Sequence, residues 1–117
     1  MQSKAAFVSN GPGAAWVPEL RPRSDETVLS KTTISAFAAT SLDRWLRKRT
    51  VDTVAIAGVV THFAVLAATL AAYDLGYRAI VLEDCCASAD PERHNAALSI
   101  LRPLAEVIEA KVFLDAI

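Results

Sequence analysis

Two histidines, two cysteines and a lysine in a loop are the residues of this chain with types suited to chemistry. His62 stands in the run Gly58-Val59-Val60-Thr61-His62-Phe63-Ala64, where a β-branched stretch gives way to an Ala-rich one. An imidazole at such a seam suits a substrate contact or a proton relay. Equally, it suits a helix-start histidine bonded to a backbone group. His94 follows Asp90-Pro91 in a polar helix start and reads as a surface or loop-bracing residue. Lys31 follows a short strand candidate. It reads either as an ordinary surface lysine or as a flexible cation that holds negative charge nearby and tunes a partner's pKa. Cys85 and Cys86 are adjacent, and adjacent cysteines seldom pair. With no His or Cys at ligand spacing they make no zinc site, so they read as small buried apolar residues in the loop after a strand. Asp84 reads as a brace for neighbouring loop N–H groups rather than a proton acceptor. No His/Asp pair has a separation suited to a metal ion, and neither metal nor cofactor is expected.

The elements that position these residues are legible as a βαβ unit over 53–83. Thr53–Ala57, with β-branched Val54 and Ile56, predicts a strand covered on both faces. Gly58 supplies a sharp turn. From about His62 the Ala- and Leu-rich run predicts a helix with Leu66, Thr69, Leu70 and Tyr73 on one face, closed by Gly76 as a left-handed cap. Ala79–Leu82 predicts a second buried strand, followed by a loop over 84–89. The stretch between Asp52 and Asp74 carries no formal charge, so a membrane-spanning helix is a rival reading. Its strand-like first half and the interruptions at Gly58, Thr61 and His62 argue against it.

On either side the pattern continues. Residues 1–24 read as irregular because Gly11-Pro12-Gly13, Pro18 and Pro22 break regular structure. Trp16 and Val17 are expected to be packed. Glu26–Ser30 is a short strand candidate. Thr40 or Ser41 can cap a helix to about Arg49, with Leu42, Trp45 and Leu46 as its apolar stripe. Asp90 caps, and Pro91 opens, a helix to about Leu101. Ala105–Ile108 suggests a last strand and Lys111–Ile117 a final short helix. Alternating strands and helices predict a parallel sheet with helices on both faces. Ligands then bind beyond the carboxyl ends of the strands, which singles out the loop after Ser30, the turn after Ala57 and the loop after Glu83.

Length and composition set bounds. The 117 residues suit one domain, and 53% apolar against 21% charged residues fits a folded soluble protein. A net charge of -1 favours neither nucleic acid nor an anionic membrane, and Arg44, Arg47, Lys48 and Arg49 read as a solvated helix face. The opening residues lack a signal peptide's pattern, so the expected location is the cytoplasm.

Taken in order, Lys31, Ser35, Ala36, Phe37, Thr40 and Leu42, then Gly58, Val59, Thr61, Val65, Thr69, Ala72, Gly76, Tyr77 and Asp84, with His94 beyond, form one pattern. It resembles the isochorismatase-like hydrolases, also called the cysteine hydrolase superfamily, over roughly residues 11–110. The resemblance implies a three-layer α/β/α fold with a mostly parallel, Rossmann-like sheet, as one domain over 1–117. It implies an Asp, a Lys and a Cys acting together on a carbonyl or vinyl-ether substrate. Lys31 takes the place of the lysine.

Two departures from the family pattern follow. The cysteine's place falls on Ala64, which carries no nucleophile, so a thioester route is closed there. The run G-V-V-T-H-F-A is more similar to the isochorismatase branch. That branch has a small residue at this place and His where His62 stands, and it hydrolyses a vinyl ether by acid-assisted addition of water. The resemblance also implies a non-proline cis peptide around Val59, Val60 and Thr61. Backbone N–H groups of Val60 and Ala64 would polarise a substrate oxygen, with Val59, Thr61, His62 and Phe37 about the substrate. Second, the family's first strand, which ends in the catalytic Asp, has no match in the chain. The expected domain is therefore N-terminally incomplete. That strand lies mid-sheet in the family, so its loss would leave unpaired backbone groups and an exposed apolar face.

Three readings follow. One is a hydrolase domain for a small amide or vinyl ether, incomplete or inactive as the chain stands. Another is a catalytically silent relative that binds a small ligand or pairs with an active subunit. The last is an unrelated α/β binding module. The expected partners are a small-molecule substrate and further copies of the chain, with no nucleic acid and no membrane.

Overall fold

β-Branched and apolar residues build the centre of the structure, a computed structural model that describes residues 15–117. Strand β1 (Thr53–Val59) pairs in parallel with β2 (Arg78–Ala87), and β2 pairs in parallel with β3 (Glu106–Ile108), giving the order β1-β2-β3. Helices α1 (Leu42–Lys48), α2 (Leu66–Asp74), α3 (Pro91–Leu101) and α4 (Ala110–Asp115) complete a three-layer α/β/α fold of the expected Rossmann-like class. One cluster joins Val65, Val81, Cys86, Leu98 and Leu101 between sheet, α2 and α3. A second joins Leu46, Ala72, Tyr77 and Ala79, with Phe37, Leu42 and Trp45 packed on it.

The chain signals act where they are local. Asp90 accepts the Arg93 N–H at 3.2 Å and Pro91 opens α3, as the sequence predicts. Gly76, at φ +90°, ends α2. The Gly76 N–H reaches the Tyr73 carbonyl and the Tyr77 N–H the Ala72 carbonyl, both at 3.0 Å, which satisfies two carbonyls the helix end leaves free. Among the described residues no helix is long and apolar enough to cross a membrane. The uncharged stretch divides into β1 and α2 instead.

Several expectations are corrected. Glu26–Ser30 is no strand: the described sheet offers it no partner, and Val28 and Leu29 stay exposed. Trp16 and Val17 are not packed; they are 54% and 52% exposed, because no described residue covers them. The reading of residues 1–14 lies outside the described residues. Helix α2 buries its small side, Ala68, Thr69 and Ala72, and turns Leu70 and Tyr73 outward. Close packing of helix on sheet selects the small residues over the bulky stripe.

Strand β2 also runs through Asp84, Cys85 and Cys86, which the sequence assigns to a loop. Between the pairs Ile56↔Val81 and Gly58↔Cys86, β1 advances by two residues and β2 by five. Polar Glu83 and Asp84 therefore sit in a bulge that pairing resumes beyond. Gly58, at φ +132°, lets β1 meet it. Finally, β1 is covered on one face rather than two, for Ala55, Ala57 and Val59 are exposed.

Candidate functional site

At the carboxyl end of β1 the chain enters a turn that carries most of the residues singled out by sequence. The Val59–Val60 peptide is cis, in agreement with the resemblance. Thr61–Val65 then forms a single π-helical turn before α2 begins at Leu66. Such turns are uncommon and often lie at functional sites. The Val60 carbonyl accepts the N–H groups of Phe63 at 3.1 Å and Val65 at 3.4 Å. Val59 projects outward, 68% exposed, and Ala64 is half-buried.

Both histidines bear on this turn: His62 lies in it, and His94, on α3, bonds to it. The His62 Nδ1 shares a hydrogen bond with Ser88 Oγ at 3.0 Å, and the Ser88 Oγ also accepts the Asp90 N–H at 3.1 Å. His94 is not a free surface residue: its Nδ1 shares a hydrogen bond of 2.8 Å with the Oγ1 of Thr61, which is wholly buried. The bracing alternative for His94 holds, and what it braces is the turn itself. Ser88 is the residue that sequence reasoning missed. A lone serine after a strand carries no signal until its partner is known.

The remaining candidates lie on other segments. The Lys31 ammonium donates to the carbonyls of Thr33 at 2.7 Å and Ile34 at 3.2 Å, and the side chain is exposed. Phe37 stacks on Tyr77 with ring centroids 5.8 Å apart. It also lines a cavity of about 410 Å³ with Leu42, Leu46, Ala55, Ile56 and Ala57. Asp84 accepts the Ala110 N–H at 2.8 Å and so anchors the start of α4, the bracing role expected of it. Cys85 is exposed, not buried as expected, because the bulge turns it to solvent. Cys86 is buried, and burial raises its thiol pKa, while a backbone hydrogen bond from Gly58 opposes that shift. Among the described residues no His, Cys, Asp or Glu cluster is arranged to hold a metal ion.

With this geometry in place the comparisons are decisive. The isochorismatase domain family matches residues 1–112. The chain belongs to the isochorismatase family. A maleamate amidohydrolase from Pseudomonas putida is 38% identical over 92 residues, covering 79% of this chain and 43% of the relative. An isochorismatase-like hydrolase from Alkaliphilus metalliredigens superposes with a TM-score of 0.86 at 34% identity, covering 89% of this chain and 57% of its own. An isochorismatase family protein from Desulfovibrio vulgaris gives 0.88 at 32% identity, covering 93% and 58%. The chain spans about half the length, or less, of the curated relatives it matches.

Proposed function

We propose that the chain supplies the turn-and-lysine part of an isochorismatase-family hydrolase that acts on a small amide or vinyl-ether substrate without a thioester. The observation that carries this reading is the Val59–Ala64 turn. It ends a parallel strand and opens a helix, and it carries Ala64 at the place where the resemblance implies the family's cysteine. The maleamate amidohydrolase relative speaks for an amide. Ala64 and His62 speak for direct addition of water to a vinyl ether.

In this proposal the backbone N–H groups of Val60 and Ala64 polarise the substrate oxygen where negative charge develops. His62 contacts the substrate or relays a proton. Lys31 balances charge at the reacting centre, and Phe37 is an apolar wall. Val59 and Thr61 frame the turn. No step needs a metal or cofactor. Assembly from several copies in the cytoplasm belongs to the same proposal. The exposed Ala55, Ala57 and Val59 offer apolar surface for it.

The test uses the protein isolated from its native source, incubated with panels of small amides and vinyl ethers and read by mass spectrometry of the products. Turnover that survives thiol alkylation is expected. No turnover of either class, or turnover abolished by alkylation, overturns the reading. One observation favours a second reading, a silent relative that binds a small ligand or pairs with an active subunit. The Lys31 ammonium is already occupied by two carbonyls of its own loop. Saturable binding of a panel member without any product, measured by calorimetry, would support it.

A further inference from the structure

We propose that the segment Ser88–His94 is a two-point clamp on the turn, and that His94 is its positioning residue, acting through Thr61. The inference rests on the proposed function for the turn's role, though not for the clamp itself.

Thr61 and Thr69 are both wholly buried, and their hydroxyl groups are satisfied differently. Thr69 donates within its own helix, to the Val65 carbonyl at 2.7 Å. Thr61 has no such local solution: its side-chain bond runs to His94, 33 positions along the chain. A buried hydroxyl that lost this partner would be left unsatisfied, since water does not reach it. The Nδ1 of His94 is therefore the group that fixes the Thr61 side chain.

The position of His94 is in turn fixed by a helix start that the sequence specifies strongly. Its N–H donates to the Asp90 carbonyl at 3.0 Å, and the Asp90 side chain caps the Arg93 N–H. The neighbouring turn residue, His62, reaches the same helix start by a separate route, through Ser88 Oγ to the Asp90 N–H. Two consecutive turn residues are thus bonded to the two ends of one short, capped segment. Two bonds fix an orientation where one would allow rotation. Thr61 and His62 lie between Val60 and Ala64, so the clamp sets the direction of the N–H groups proposed to meet the substrate oxygen. Neither histidine needs to touch the reacting atoms for this.

The atom involved makes the inference testable. An asparagine amide places a polar atom where the His Nδ1 stands, while a glutamine amide mimics the Nε2 position. Native-state amide exchange by NMR on the full chain compares wild type with Thr61→Val, Thr61→Ser, His94→Asn and His94→Gln. The Phe63 and Val65 amides are the reporters, because both donate to the Val60 carbonyl. Thr61→Val and His94→Gln are expected to speed their exchange about tenfold, the loss of one buried hydrogen bond. Thr61→Ser and His94→Asn are expected to stay close to wild type, and β2 amides to be unaffected in all four. Equal exchange for Gln and Asn at 94, or equal acceleration in β2, overturns the clamp. Should a variant fail to fold, the wild-type chain decides. A single His94 tautomer with a slowly exchanging Thr61 hydroxyl proton is expected, and mixed tautomers with a fast hydroxyl overturn it. Turnover is a readout in neither arm, so missing hydrolase activity counts against the proposed function alone.

Discussion

Single side chains divide here into those held by the fold and those free to act. Lys31 is exposed and, among the described residues, bonded only to carbonyls within three residues of itself. Lys31→Ala should therefore leave stability within about 0.5 kcal/mol, as for other surface changes. In the native protein it should abolish the proposed turnover; a marked fall in melting temperature would make the residue structural instead. The two cysteines separate in the same way. Cys85 is exposed, whereas Cys86 is buried, with its thiol pKa raised by that burial and its Sγ 3.3 Å from the Leu82 carbonyl. An aromatic disulfide reagent at pH 8 should label one thiol per folded chain at once, and the second only on unfolding. Rapid labelling of both would show that the β2 bulge opens readily. The residue types of the site were legible in the sequence, since His62, Thr61 and Ala64 are neighbours there. The Thr61–His94 pair was not, because spacing along a chain does not say which loops meet.

Elements were legible where their signals are local and obscure where a partner decides. The Asp90-Pro91 start of α3 and the Gly76 stop of α2 need no distant residue. By contrast, Glu26–Ser30 has strand-like composition and forms no strand, since a strand exists only beside another. The extension of β2 depends on Gly58 and Cys86 finding each other across the bulge. The joint between α1 and β2 makes a further prediction. The Tyr77 hydroxyl donates to Asp43 Oδ1 at 2.6 Å beneath the Arg47 guanidinium, which also caps the Leu75 carbonyl. Burial, and then the Asp43 bond, raise the Tyr77 pKa above its ordinary value of 10.0. The folded state thus holds this proton more tightly than the unfolded one. Its contribution is complete below pH 10 and falls away as pH rises through the folded value. Urea unfolding should show wild type losing stability above pH 10 more steeply than Tyr77→Phe. At pH 8 the variant should be the less stable of the two, through the loss of this hydrogen bond. Parallel pH profiles for the two proteins would mean that the hydroxyl is solvated rather than held.

At the scale of the molecule, the sheet has an asymmetry that its helices do not resolve. Val54 and Ile56 face the α1–α2–α3 side and are packed there, while Ala55, Ala57 and Val59 face outward and are exposed. Strand β1 pairs with β2 on one side, and among the described residues it has no strand on the other. An edge whose N–H and carbonyl groups meet no strand among the described residues, with no charged side chain along Thr53–Val59 and an apolar cavity of about 410 Å³ beside it, is a template for another strand. The 117-residue chain alone should therefore self-associate as its concentration rises. Ala57→Lys places a charge on the open face without touching the packed one. It should shift sedimentation toward the monomer while leaving the unfolding transition nearly in place. Ile56→Lys, one residue away, should unfold the chain outright, because its side chain belongs to the packed face. If Ala57→Lys unfolds the protein as well, that face is covered in solution and β1 is not an edge. If wild type stays monomeric at every concentration, the open strand is shielded, and the apolar face has found its cover within the chain.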